Sequence, residues 1–209
     1  MNERRLPEPW WEHSAGVLEF GLKPWGLTLR DVLARLDEVQ EWGFDAIWLG
    51  PLYHGGIQYT GLDIIDLYAV DPALGTMKDL ETLIDRCHAR GIAIVASFNL
   101  AYASMEFPPF LKACDDVRSG VDSPEARWFL WSETGTEELD RSGFPFFRQD
   151  LHGYWHYSDR AGKYYWVKWA GQDGEVNMPQ FNFGDPAWQQ ECRRAVNFWM
   201  ETGLDGMLV

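Results

Sequence analysis

The sequence predicts an α/β protein built on a parallel β-sheet, and two observations carry that prediction. Three short apolar runs, at 17–20, 46–49 and 92–98, lack the polar alternation of a sheet with one wet face, as strands buried on both faces do. A fourth such run lies at 206–209. Between the runs stand amphipathic helices with clear starts and stops, so strand and helix alternate in a βαβ series.

Each element has its own signal. The helix after the first strand is predicted over 28–42. Leu29, Val32, Leu33, Leu36 and Val39 share one face, Thr28 and Asp31 have capping-box spacing, and Gly43 sits where a C-terminal glycine belongs. The second helix repeats this grammar, with Thr76 and Asp79 at its start, Leu80, Leu83, Ile84 and Cys87 inward, and Gly91 beyond its end. The third opens on Asp185 and Pro186, an N-cap followed by proline at the first helical position. It buries Trp188, Cys192, Ala195, Val196 and Trp199 and stops at Gly203. Residues 100–184 are too long for an ordinary loop and read as an inserted subdomain. A helical piece is expected there over 124–131, and a hairpin over 154–169 turning at 159–162. The organisation is therefore 1–99 for three strands with their helices, 100–184 for the insertion, and 185–209 for the third helix and fourth strand.

Composition narrows the function classes. With 209 residues and 46% hydrophobic content, the chain can bury one good core. Its net charge of −14, from 18 basic and 32 acidic side chains, excludes a nucleic-acid partner, which needs clustered cations. No stretch reaches the roughly 18 apolar residues of a membrane span, and residues 1–9 lack the apolar core of a signal peptide. Cys87, Cys114 and Cys192 are odd in number and in no metal-ligand spacing, which suits a reducing compartment. The expectation is a cytoplasmic protein with no cofactor and no membrane contact. The chain also holds 12 Trp, 12 Phe and 8 Tyr. Such rings suit stacking on sugars, although the commoner role of any one of them is to fill a core.

The motifs are more specific than the composition. They are the stretch Leu36 to Tyr53, the segment Gly61 to Tyr68, the run Asp71 to Thr76 followed by Asp79 and Leu80, and His88-Ala89-Arg90-Gly91-Ile92. Further on come Ser123-Pro124 through Trp131, Trp155 to Tyr165, Val176 to Asn182, and Gly203 to Val209. In this order and spacing the chain resembles the α-amylase superfamily of glycoside hydrolases, nearest the oligo-1,6-glucosidase and trehalose-synthase branch, from about Trp10 to Val209. The resemblance implies the N-terminal half of a TIM-type (β/α)8 barrel, strands one to four, with an inserted B subdomain. Active sites in such barrels lie at the C-terminal ends of the strands.

Several positions depart from what the resemblance implies. The family's third strand ends D-x-x-x-N-H, and the matching residues here are Ser97, Ala101 and Tyr102. Ala101 offers no side-chain oxygen to a hard cation, so neither calcium nor any other metal is expected there. Leu62 stands where a sugar-stacking tyrosine is usual, and Gln180 replaces the aspartate of the M-P-D-L-N motif. Leu208 takes the place of an arginine that would hold the nucleophile ionised. The nucleophile, the acid/base and a third aspartate would all fall beyond Val209, so the resemblance implies no catalytic residue in this chain. Asp205 matches a structural aspartate of the family. Asp63 is retained among the sugar contacts, and Tyr102 is the second candidate substrate-binding residue. His88 is read as packing at a helix end. His152 and His156, four apart without a helix, are read as surface polar residues and not metal ligands.

Two functions follow as expectations. One is a non-catalytic member of the superfamily, a glycan-binding or interaction scaffold with a degenerate active site. The heavy chains of amino-acid transporters are the family precedent. The other is the N-terminal piece of a longer α-glucosidase-like hydrolase acting on α-glucosidic bonds. Expected partners are an α-glucan or oligosaccharide, and a second copy or other chain that completes the barrel, because a half barrel leaves its outer strands unpaired. A nucleotide-binding doubly wound domain is excluded, since no glycine-rich phosphate loop follows any strand.

Overall fold

The computed structural model describes residues 9–56, 61–137, 153–167 and 178–209. In chain order the elements are β1 (Val17–Phe20), α1 (Leu29–Ala34), α2 (Leu36–Glu41), β2 (Ala46–Leu49), β3 (Tyr53–Gly55), β4 (Ile64–Val70), α3 (Met77–His88) and β5 (Ala93–Ser97). They continue with α4 (Pro108–Arg118), α5 (Pro124–Arg127), β6 (Trp131–Ser132), β7 (Tyr154–Ser158), β8 (Lys163–Val167), α6 (Pro186–Met200) and β9 (Gly206–Leu208). Contacts divide the chain into two units. The first comprises 1–54, 67–98 and 195–209, and the second comprises 55–66 and 99–194.

The first unit is organised by a four-stranded sheet in the order β1-β2-β5-β9, parallel throughout. Its register pairs Ala46 with Val17 on one side and with Ala93 on the other, and Val95 with Gly206. This is the parallel strand succession expected of the first half of a (β/α)8 barrel. The central strands carry no alternation because both faces are covered: Ala46, Ile47, Leu49, Ile94 and Ala96 are all fully buried. Trp199 lies on the helix before β9. Its Nε1 donates to the Leu67 carbonyl at 2.6 Å, which lets a large polar-tipped ring sit fully buried.

The capping boxes at Thr28/Asp31 and Thr76/Asp79 both form, each with reciprocal side-chain and backbone bonds. Asp79 also accepts from Arg30 Nε at 2.8 Å, tying α3 to α1. The Thr76 bonds first, and then Arg30, pull its carboxyl down to about 2. Gly43 and Gly91 take φ of +83° and +71°, the left-handed positions that end α2 and α3 at low steric cost. The helix expected over 28–42 is in fact two. At Arg35 the backbone sits at φ −104°, ψ 4°, and its N–H turns back to Val32 and Leu33. This tightened turn breaks the i→i−4 ladder for one residue, while Leu29, Val32, Leu36 and Val39 stay buried on one side.

His88 does more than pack at a helix end. Its Nε2 lies 2.9 Å from Asp205 Oδ2, and that oxygen also accepts the Ile94 amide at 2.8 Å. The Asp205 amide donates to the Ile94 carbonyl at 2.9 Å, and Trp10 Nε1 donates to the Asp205 carbonyl at 3.3 Å. Asp205 thus joins the end of α3, strand β5 and the entry to β9.

The second unit holds a three-stranded antiparallel sheet, β6-β8-β7, over an aromatic core. Phe110 packs on Phe129 and Tyr165 at centroid distances of 4.9 and 5.0 Å, and Phe181 stacks on Trp188 at 3.5 Å. The hairpin turn at 159–162 falls as expected. It is fastened to α4 by Arg160, whose guanidinium donates to both Asp115 carboxylate oxygens at 2.7 and 2.5 Å. The helical piece expected over 124–131 stops at Arg127, because Trp131 is drawn into strand pairing with Tyr165. Helix α4 was not expected, although Phe110, Ala113, Cys114 and Val117 have helical spacing behind Pro108 and Pro109. Cys192 and Val196 are half-buried and not core residues, while Trp188, Ala195 and Trp199 are buried. His156 lies half-buried on β7, its ring 5.4 Å from that of Tyr165, and His152 lies outside the described residues. All three cysteines are free. Burial pushes the thiols of Cys87 and Cys192 up to about 12 and that of Cys114 upward. Among the described residues no helix is long and apolar enough to cross a membrane.

The His88–Asp205 pair makes stability depend on pH. The Asp205 hydrogen bond raises the His88 pKa against partial burial. The contribution is therefore complete below the ordinary histidine value of about 6.5 and is lost as pH rises through the higher folded value. In urea titrations the stability difference between wild type and His88→Ala should be largest near about pH 6 and should shrink by about pH 9. A difference independent of pH would show that the pair contributes only packing.

Candidate functional site

The candidate residues of the second unit are brought together by backbone pairing. Ile64 bridges in parallel to Ala103, so Asp63 and Tyr102, one residue earlier on each strand, stand side by side. Tyr102 bridges antiparallel to Gln180. Asp63, Tyr102 and Gln180 therefore form one lateral row across three adjacent segments. The bonds that set this register are Ser104 N to Ile64 O at 2.8 Å, Ala103 N to Pro179 O at 2.8 Å and Phe181 N to Ala101 O at 3.0 Å.

The row is polar and enclosed. Asp63 and Gln180 are each 1% exposed, and Tyr102 is half-buried. Burial pushes the Tyr102 phenol up to about 12, so it stays neutral and can both donate and accept a hydrogen bond. Gln180 donates its backbone N–H to Trp166 O at 3.0 Å, while its side-chain Oε1 is buried with no hydrogen-bond partner among the described residues. Such an atom is an acceptor held in reserve, for water or for a ligand hydroxyl.

Two glycines that sequence reasoning missed shape this loop, and one of them, Gly56, makes room for the Asp63 carboxyl group. A Cβ placed on Gly56 would lie 1.9 Å from Asp63 Oδ2, and one on Gly55 would lie 2.2 Å from the Gly61 carbonyl oxygen. The Gly56 amide also donates to the Asp63 carbonyl at 2.7 Å. Only glycine permits such close approaches, and two adjacent glycines eight and seven residues before an aspartate were the available signal. Leu62 is half-buried, and its carbonyl accepts from Asn99 Nδ2 at 2.8 Å. Ala101 contributes its backbone N–H to Asn99 Oδ1 at 3.0 Å and carries only a methyl side chain.

Ser97 and Leu208 lie in the first unit, paired across β5 and β9. Ser97 sits at the C-terminal end of β5, where its Oγ accepts from Trp48 Nε1 at 2.7 Å. A hydroxyl capped by an indole thus occupies the place where the resemblance implies a carboxylate. Leu208 is 53% exposed and brings no charge. On the same unit Lys23 pairs with the buried Asp71, which also accepts the Ala73 amide at 2.9 Å.

Several surface carboxyl groups are pulled down by their partners: Asp31 by Thr28, Asp115 by Arg160 and Asp116 by Lys112. Asp45 is lowered too: burial pushes it up, but bonds from Ser14 and from the Ala15 and Gly16 amides outweigh that. Among the described residues no group of three or more His, Cys, Asp or Glu side chains is placed to hold a metal ion.

Four parallel strands ordered as in the sequence and separated by helices are the succession with which a TIM-type barrel protein begins. Within that class the chain belongs to the α-amylase family: the profile of the alpha-amylase catalytic domain matches residues 23–209. The trehalose synthase/amylase TreS of Mycobacterium tuberculosis is 30% identical over 178 residues, covering 85% of this chain and 28% of that protein. The oligo-1,6-glucosidase of Parageobacillus thermoglucosidasius is 27% identical, covering 85% of this chain and 30% of its own length. Among solved structures, Eubacterium rectale Amy13B superposes with a TM-score of 0.74 at 24% identity, covering 91% of this chain and 35% of that one. A family GH13_31 enzyme does so with a TM-score of 0.76 at 24% identity, covering 95% and 36%. The chain thus spans about a third of the length of the proteins it matches.

The glycine cradle is directly testable. Gly56→Ala should destabilise the protein by about 1–3 kcal/mol, the usual cost of overpacking, because the new methyl meets the Asp63 carboxylate. In an Asp63→Ala background the same change should cost clearly less, and a double-mutant cycle in urea would measure the coupling. Equal costs in both backgrounds would show that the carboxylate is not what Gly56 makes room for.

Proposed function

We propose that this chain recognises an α-glucosidic sugar through the row Asp63–Tyr102–Gln180 and does not itself cleave it. The observation that carries the reading is that row, in which a carboxyl group, a neutral phenol and a carboxamide stand side by side. Tyr102, the half-open member, is the group a sugar hydroxyl reaches first, and Asp63 is the acceptor at the floor. The relatives' names, trehalose synthase/amylase and oligo-1,6-glucosidase, support an α-glucoside as the ligand class.

The absence of cleavage rests on chemistry. A retaining glycosidase needs two carboxyl groups about 5 Å apart, one of them protonated. Here Ser97 presents a hydroxyl bound to Trp48 and Leu208 presents an alkyl chain. The expected result in calorimetry is binding of maltose, isomaltose or trehalose with no glucose release, and about tenfold weaker binding by Asp63→Ala, as for a lost buried hydrogen bond. Glucose release that Asp63→Ala abolishes would replace this reading with a hydrolase.

A second reading is favoured by the sheet edges and by the coverage of the relatives. β1 and β9 are the outer strands of the first unit's sheet, and Val17 and Leu208 on them are 46% and 53% exposed. In this reading the residues form the N-terminal part of a longer α-glucosidase-like hydrolase, or meet a second copy or another chain whose strands complete the barrel. Intact mass spectrometry of the protein from its own source separates these. A mass near 24.1 kDa favours the self-assembling scaffold, and one at least about twice that favours the hydrolase.

A further inference from the structure

Asn99 sits in the turn that follows β5, at a position the family motif leaves open. Its carboxamide makes two bonds. Nδ2 donates to the Leu62 carbonyl at 2.8 Å, and Oδ1 accepts the Ala101 amide at 3.0 Å. Those two partners assign the ends of the amide, since a carbonyl needs the NH2 and an N–H needs the oxygen. The bond to Ala101 is a local Asx turn, common wherever asparagine follows a strand. The bond to Leu62 is not local: it spans 37 residues of sequence.

The two gripped groups are the backbones immediately before Asp63 and Tyr102. Backbone pairing alone holds these neighbours loosely. Ile64 and Ala103 form a single isolated bridge, with one bond of 2.8 Å from Ser104 N to Ile64 O and one long contact of 3.5 Å from Ile64 N to Tyr102 O. The weak contact is the one nearer the row. There the Asn99 side chain adds a tie between the two segments, and it uses both of its functional ends to do so.

We propose that Asn99 is the positioning residue of the sugar-binding row, fixing Asp63 level with Tyr102. It touches no ligand and acts through the two peptide groups it holds. This inference rests on the glucoside-binding reading for its consequence, while the clamp itself can be measured without any sugar. No other side chain of this length both donates and accepts in that geometry at neutral pH. An aspartate keeps the acceptor for Ala101 but, once ionised, turns an oxygen toward the Leu62 carbonyl. Protonated, it recovers a donor. Facing a carbonyl oxygen, the introduced carboxyl titrates above the usual value of about 4. The titratable groups of the row, Asp63 and Tyr102, are common to wild type and variants, so the wild-type profile accounts for them.

The test compares wild type, Asn99→Asp and Asn99→Ala across about pH 4 to 8. It follows maltose affinity and the NMR shift of the Leu62–Asp63 peptide group. At neutral pH, Asn99→Asp should bind maltose on the order of tenfold more weakly, as expected for a hydrogen bond lost to repulsion. On acidification its affinity and its peptide shift should both return toward wild type with one midpoint. Asn99→Ala should be weak throughout. Wild-type behaviour of Asn99→Asp at neutral pH, or a loss with no return in acid, overturns the proposal. Should wild type bind no glucoside while the peptide shift titrates in Asn99→Asp alone, the clamp stands and the glucoside reading falls. A flat peptide shift sinks the clamp whatever the sugar does.

Discussion

The segment 101–104 is the constraint on which the second unit depends. It is four residues long and forms no named strand, yet it bonds to Ile64 on one side and to Pro179 and Phe181 on the other. The segment around 179–181 bonds onward to Trp166 and pairs with Val167. Among the described residues, a thin line of backbone bonds therefore connects the loop carrying Asp63 to the aromatic sheet. Buried peptide groups must find partners, so this line persists although no long ladder supports it. The polar row is a by-product of that line, since residues at one level of neighbouring strands necessarily share a neighbourhood.

The first unit obeys a different constraint. Its parallel strands need cover on both faces, and α3 and Trp199 bury apolar surface against them. Polar groups in this interior are matched: Asp205 collects His88 and the Ile94 amide, and the Trp199 indole finds the Leu67 carbonyl. The same rule ties Ser97 to Trp48. A serine that satisfies an indole is a sound structural residue and a poor substitute for a carboxylate. Ser97 thus has a structural partner at the place where the resemblance implies a carboxylate.

Much of this architecture was legible in the residues. Apolar runs without alternation marked four strands to within a residue or two, and threonine–aspartate spacing marked two helix starts with their reciprocal bonds. The break at Arg35 was not legible, because the apolar stripe passes through it unchanged. Helix α4 carried a helical pattern, but it lay inside a stretch that resemblance had already labelled an insertion. For the site, Asp63 and Tyr102 could be picked out singly from motif positions. Their adjacency could not, since it is set by isolated bridges between residues about 40 and 80 positions apart, which leave no periodic trace. Asn99 escaped for a simpler reason: a motif names its fixed positions, and Asn99 fills a variable one.

The buried thiols have a consequence of their own. Cys87 belongs to the first unit and Cys114 to the second, and each is at most 1% exposed with its thiolate disfavoured by burial. A thiol in that state reacts with an alkylating reagent only when its surroundings open. The molecule therefore carries one chemical clock in each half. Their relative rates report which unit loosens first, a quantity that a single global melting curve averages away.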